Sequence, residues 1–226
     1  MESSHKRIIM KKIKFMSTDP GLLIATPRPA SKEIPSWYKQ LDSVVDNTQT
    51  IKRCMPVLDA FTSGYMLVLA ADVHFNKGVH QEISKIQMVA MHGKNQIGEF
   101  KLPKEYLDQP YKWLNYFLIK TPKGYSSLIT HPLNRPDLPF YTMTGVVDTD
   151  TFPVPPNLPF FIRADFDGII PEGTPIAQVI PFKRTDWKAD VDLENQAKPP
   201  QSFINNIFNP PFGYYKRTFW KRKKYQ

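Results

Sequence analysis

The sequence predicts a mainly β protein, an antiparallel sandwich or barrel, and three observations carry that expectation. Apolar residues recur in strand-length runs, spaced by about ten to twenty residues with turn chemistry between them. Twenty-two prolines against ten glycines remove backbone donors and fix φ, which disfavours long helices and suits short strands joined by rigid connections. A composition 41% hydrophobic and 13% aromatic is rich enough for a packed core and too rich for a disordered chain. At 226 residues there is room for one generous core. A single domain is therefore expected over residues 1–210, with its core in 51–184 and a basic aromatic tail over 211–226.

The elements follow in order. RIIMKKIKFM alternates loosely between apolar and basic residues and reads as a first strand; LLIATPRPA then runs extended, pairing at a sheet edge. In KEIPSWYKQL, Ile34, Trp37, Tyr38 and Leu41 fall at helical spacing, with Pro35 tolerable in a first turn. The apolar stretch through Leu58 and Phe61 predicts one or two helical turns, Gly64 a hinge, and Tyr65 to Phe75 a strand. EISKIQMVA, WLNYFLIK and YSSLITHPL are further strands, the last two forming a hairpin around Thr121-Pro122-Lys123-Gly124. PFYTMTGVVD, LPFFIRADF and TPIAQVIPF continue the β pattern, with turns at Asp167-Gly168 and Glu172-Gly173. The polar stretch from Arg184 to Lys198 is a surface excursion, and QSFINNIF adds a helical turn after residue 200.

Several classes of chemistry are disfavoured. Cys54 is the only cysteine, so no intrachain disulfide and no thiolate metal cluster can form within one chain. Histidines 5, 74, 80, 92 and 131 lack zinc-site spacing, although His74 and His80 lie near Glu82. There is no phosphate-cradling glycine loop and no nucleophile elbow. No cofactor and no metal are expected. The opening residues lack an apolar signal core, and no window reaches the roughly twenty apolar residues of a membrane span, so a host cytoplasm or a virion is expected rather than secretion or a membrane.

One region suggests chemistry. Gly145-Val146-Val147-Asp148-Thr149-Asp150 places carboxylates beyond an apolar strand, and Ile170-Pro171-Glu172-Gly173-Thr174-Pro175-Ile176-Ala177-Gln178-Val179-Ile180 follows. With Ser63-Gly64-Tyr65-Met66-Leu67-Val68-Leu69-Ala70-Ala71-Asp72-Val73, these words stand in the order of three motifs of the trimeric deoxyuridine triphosphatase and deoxycytidine deaminase superfamily, which residues 63–182 patchily resemble. The resemblance implies a β-clip fold, a homotrimer, Asp148 (with Asp150 beside it) as a water-activating base, Arg135 as a phosphate ligand, and magnesium. The departures fall where that chemistry would sit. Met66 replaces a magnesium-associated aspartate, Thr151 a tyrosine that packs the deoxyribose and Pro153 a glycine. Asp148 and Asp150 equally suit a turn in which aspartates accept backbone hydrogen bonds. Two functions stay open: a non-enzymatic binding or structural protein on this scaffold, and a divergent deoxynucleotide hydrolase or deaminase using Asp148 as base. The chain, through Ile34-Pro35-Ser36-Trp37-Tyr38-Lys39, Lys52-Arg53-Cys54, Asn134-Arg135-Pro136-Asp137-Leu138-Pro139-Phe140 and Lys183-Arg184-Thr185-Asp186-Trp187, is also similar to proteins of large tailed phages of marine bacteria and cyanobacteria, which implies a phage origin.

The net charge of +9 is concentrated. Lys216, Arg217, Lys221, Arg222, Lys223 and Lys224 supply six positive charges, and no acid follows Glu194. Interleaved with Tyr214, Phe219 and Trp220, these cations suit a phosphate backbone with stacked bases, an acidic protein surface, or a solvated end with Phe219 and Trp220 pinned to the body.

Overall fold

The computed structural model describes residues 10–19, 23–100, 103–195, 197–207 and 213–226. Along the first half run β1 (Lys14–Ser17), β2 (Arg28–Pro29), α1 (Ser36–Gln40), β3 (Val44–Val45), β4 (Thr48–Gln49), α2 (Met55–Thr62), β5 (Tyr65–Val68), β6 (Val73–Asn76), β7 (Val79–Gln81) and β8 (Val89–Met91). The second half holds β9 (Tyr111–Trp113), β10 (Phe117–Lys120), β11 (Tyr125–Thr130), β12 (Phe140–Thr142), β13 (Gly145–Val147), β14 (Leu158–Ile162), β15 (Gly168–Ile170), β16 (Pro175–Lys183), α3 (Gln201–Ile207) and α4 (Tyr214–Thr218). The protein is mainly β, its sheets antiparallel and its helices few and short.

A five-stranded sheet has the order β13-β11-β16-β5-β2, a second runs β12-β14-β9-β8 and a third β15-β6-β7, while β1 pairs with β10 and β3 with β4. β16 and β5 lie inside the first sheet and are buried on both faces: Pro175 to Val179 and Met66 to Val68 are consecutively buried. Hence they read as continuous apolar runs rather than as alternation. One core joins Leu67, Ile129 and Val179 of this sheet to Trp113, Phe140 and Phe160 of the second and Phe75 and Ile170 of the third. Trp113 lies flat on Phe160 with centroids 3.6 Å apart. Its indole N–H donates to Thr142 Oγ1 at 3.1 Å, and that hydroxyl donates onward to the Ile176 carbonyl at 2.7 Å, so the buried polar atoms tie the second sheet to the first.

Local signals fall where the sequence places them. α1 starts after Pro35, α2 carries Pro56 in its first turn, and Tyr38 meets Phe61 at 4.6 Å between rings, docking the two helices. Gly64 has φ +72°, and a Cβ there would stand 2.0 Å from the Val179 carbonyl oxygen, so the corner between α2 and β5 admits only glycine. β2 pairs at the sheet edge as expected, and α3 occupies the expected site after residue 200. Part of the predicted first strand lies outside the described residues; β1 is its observed end.

Several expectations are corrected. WLNYFLIK and YSSLITHPL do not form a hairpin, because β10 pairs with β1 while β11 pairs with β13 and β16. The turn exists, with Gly124 at φ +82°, but Thr121 N–H is drawn to the Thr149 carbonyl and Gly124 N–H to Asp150, which splays the flanking strands. Tyr65 to Phe75 is two strands in different sheets, and so is PFYTMTGVVD; in the first, Asp72 turns the chain by accepting Glu172 N–H at 2.7 Å. EISKIQMVA contributes only its end, to β8. Asp167-Gly168 is not a turn: the turn falls at 164–165, and Gly168 opens β15, a short edge strand that ends before the turn at Gly173.

Candidate functional site

Asp148 and Asp150 follow β13, and both face Arg184 just beyond β16. Arg184 Nη2 lies 2.5 Å from Asp150 Oδ2, and Nη1 lies 3.1 Å from Asp148 Oδ1. Ser126 Oγ donates to Asp148 Oδ1 at 2.6 Å, and Gly124 N–H donates to Asp150 Oδ2 at 2.8 Å. The Arg184 hydrogen bonds, followed by the Gly124 N–H, hold the Asp150 carboxyl far below the usual carboxylate range. This constellation fastens the ends of β11, β13 and β16 to one another. A carboxylate already receiving a guanidinium and a backbone amide has little basicity to offer a water molecule.

Arg135 stands elsewhere. Ser126, beside Asp148, is the second residue of the six-residue β11, and Arg135 follows five residues after the other end, Thr130, itself about 13 Å from Ser126 along the strand. Its guanidinium grips Asp137 through Nε at 2.8 Å and Nη2 at 2.8 Å, and its carbonyl meets His131 Nε2 at 3.1 Å. Burial raises the Asp137 carboxyl, but the Arg135 hydrogen bonds and charge outweigh it and leave the group below its ordinary value. His131 is pushed down chiefly by burial. Its Nδ1 accepts Thr142 N–H at 3.3 Å, which fits a neutral ring that donates from Nε2 to the Arg135 carbonyl.

Three candidate residues of the first chemistry are thus split into a pair and a distant third. Asp148 and Asp150 meet a guanidinium in place of open coordination sites. Among the described residues, no group of three or more His, Cys, Asp or Glu could hold a metal ion. This donor set does not fit the magnesium that the resemblance implies.

The tail is docked. Trp220 Nε1 donates to both Asp59 carboxylate oxygens at 3.1 and 3.0 Å, and Lys223 Nζ lies 2.5 Å from Asp59 Oδ2. Phe219 packs edge-on against Phe203 at 5.7 Å, joining α4 to α3. Farther on, Tyr225 meets Tyr65 edge-to-face at 6.0 Å, and the Tyr65 hydroxyl donates to the Gln226 carbonyl at 3.2 Å. Burial pushes that hydroxyl's titration up, keeping it a donor. Lys216, Arg217, Lys221, Arg222 and Lys224 remain exposed around this anchor.

Where the tail lands, it completes a groove of about 520 Å³. The pairing of Lys14 with Lys120 lays the residues before β1 alongside the 121–125 turn, and the tail closes the far side. Lys11, Lys12, Lys14 and Lys224 line the groove with Tyr65, Tyr125 and Tyr225, and among the described residues no carboxylate side chain lines it. Lys11 Nζ sits 5.8 Å from the Tyr125 ring centroid, a cation over an aromatic face. In the sequence the early lysines stand as the basic residues of an alternating first strand. Their spacing carried the signal, but nothing local places them beside the tail.

Compared with known proteins, the chain matches no protein-family model and no curated relative.

Proposed function

We propose that this chain is a phage-type, non-enzymatic binding or structural protein on a deoxyuridine-triphosphatase-like β scaffold, and that its basic aromatic groove takes a polyanion, single-stranded nucleic acid ahead of duplex. The carrying observation is the groove: among the described residues, four lysines and three tyrosines line it and no carboxylate side chain does. Cations that track phosphates together with rings that stack on bases are what a sequence-tolerant single-strand site requires. The commitment of Asp148 and Asp150 to Arg184, and of Arg135 to Asp137, supports a scaffold role for these residues over hydrolysis. A homotrimer in the host cytoplasm or the virion belongs to the same reading.

The test has two arms. Titration of single-stranded and duplex DNA at two salt concentrations is expected to show salt-sensitive binding, tighter for the single strand, that weakens when Lys11, Lys12 and Lys224 become glutamate. Multiple-turnover release of pyrophosphate from dUTP, or deamination of dCTP, abolished by Asp148→Asn, would overturn the non-enzymatic part.

A further inference from the structure

The segment after β16 carries an apolar face with nothing on it. Every described residue from Phe182 to Pro200 is exposed, and Trp187, Val191 and Leu193 expose 91%, 74% and 88% of their surface. Residues 186–194 read Asp-Trp-Lys-Ala-Asp-Val-Asp-Leu-Glu: polar and apolar residues alternate strictly, which in an extended backbone puts Trp187, Ala189, Val191 and Leu193 on one side. No backbone hydrogen bond joins 185–193 to another described part of the body. The segment is held at its root, where Arg184 is clasped by Asp148 and Asp150; at its far end Asp192 accepts the Glu194 and Asn195 amides at 3.0 Å each, a local turn. A large indole kept in water three residues beyond a clasped arginine, with two aliphatic residues at alternating positions after it, is an unusual surface for a folded domain.

Charge identifies what covers it. The segment 186–194 has four carboxylates against one lysine, and among the described residues the groove between β1 and the tail has four lysines and no carboxylate side chain. The groove also supplies the apolar half of a match, with Met10, Ile13 and the tyrosine rings. It adjoins the root of the segment, since Pro181 lines it and Tyr125 pairs with Lys183. Filling its own groove would need a sharp reversal directly after the clasped Arg184, in a stretch without glycine until Gly213. Outward, the nine residues 185–193 span at most about 30 Å when extended, enough to reach a neighbouring molecule.

We propose that residues 186–194 of one molecule bind as an added strand in the basic aromatic groove of a second copy of the chain. Trp187, Val191 and Leu193 enter among the tyrosines, while Asp190 and Glu194 meet the lysines. The contact is head-to-tail, so it builds either a closed ring or a chain of copies. It takes from the proposed function only the groove as a binding site, and self-association and polyanion binding then exclude one another.

The experiment is sedimentation velocity on the full chain, without nucleic acid, across a micromolar concentration series at low and high salt. Self-association that weakens with salt is expected. Trp187→Ser with Leu193→Ser in one chain, and Lys12→Glu with Lys224→Glu in another, should each weaken it by about tenfold or more. Both pairs are exposed, and unchanged circular dichroism and thermal unfolding check their folding. An equimolar mixture of the two variants should recover a heterodimer, because one retains the strand and the other the groove. A wild-type chain that stays monomeric throughout, a Trp187/Leu193 variant that associates like wild type, or a mixture that recovers nothing would each overturn the proposal. A chain that self-associates but binds no DNA sinks the proposed function and spares this inference; one that binds DNA yet stays monomeric throughout the series without nucleic acid does the reverse.

Discussion

The Arg184 guanidinium and the Asp150 carboxylate, 34 positions apart, meet through two contacts: Nη2 to Oδ2 at 2.5 Å and Nη1 to Oδ1 at 2.9 Å. Asp150→Asn should therefore lower the thermal and urea midpoints more than Asp148→Asn, because the Asp150 side chain is 5% exposed and also serves Gly124 while that of Asp148 is 63% exposed. The pH dependence has a definite sign. The folded-state value lies below the ordinary 3.8, so the stabilisation is fully present above that value and is lost as pH falls through the folded one. Urea melts from neutral to acid pH should show a constant gap between wild type and Asp150→Asn down to about pH 5, narrowing below it. A pH-independent gap would contradict this.

Gln178 is fully buried, and its amide serves three backbone groups: Nε2 donates to the Ala60 and Ser63 carbonyls at 2.9 and 2.6 Å, and Oε1 accepts Leu133 N–H at 2.9 Å. Gln178→Leu keeps the volume and strands all three. The expected loss is about 3 kcal/mol or more, read as a fall in urea midpoint at constant slope. A near-neutral result would mean that the helix-to-strand corner does not depend on this side chain.

His131 titrates with the opposite tendency to a surface histidine. Burial lowers its folded value below 6.5, so above 6.5 its contribution is intact, and as pH falls below 6.5 the unfolded chain takes up a proton that the folded one refuses. Wild type should lose stability through that window while His131→Gln, starting lower, loses less. A ring-proton titration by NMR with a midpoint at or above 6.5 would contradict the assignment.

Asp59→Ala removes the acceptor of Trp220 and the partner of Lys223. The tail should then come loose, with Trp220 emission shifting to the red and trypsin cutting after Lys221 or Arg222 faster, while the body's melting temperature moves little. If DNA binding needs the tail in place to close the groove, the same variant should bind single strands more weakly although no lysine has been removed.

What the sequence makes legible is local. Pro35 at the start of a helix, Gly64 at a corner and Gly124 in a turn are fixed by what each residue's own backbone permits; the structure has all three, with Pro35 as the extended residue just before α1. Pairing is not local. The 121–124 turn sits where its chemistry says, but the partners of β10 and β11 are β1, β13 and β16, chosen by a shared core that no neighbouring residue encodes. The same division holds for the site. The lysines near β1 and in the tail are visible as charge, whereas their meeting depends on β1 joining β10 and on Trp220 finding Asp59. Arg184 carries no sign in its own neighbourhood that it will close on Asp148 and Asp150.

The pairing of β5 with β16 sets Met66 against Gln178, more than a hundred positions later. As the chain leaves a ribosome, β5 waits for almost the whole body to be made before its inner neighbour exists, with Leu67 and Leu69 unburied in the meantime. Closing so long a loop comes before any of the contacts that reward it. Assembly is therefore slow and late, and the nascent chain is most exposed to aggregation, and most in need of a chaperone, just before Pro175 to Lys183 emerges.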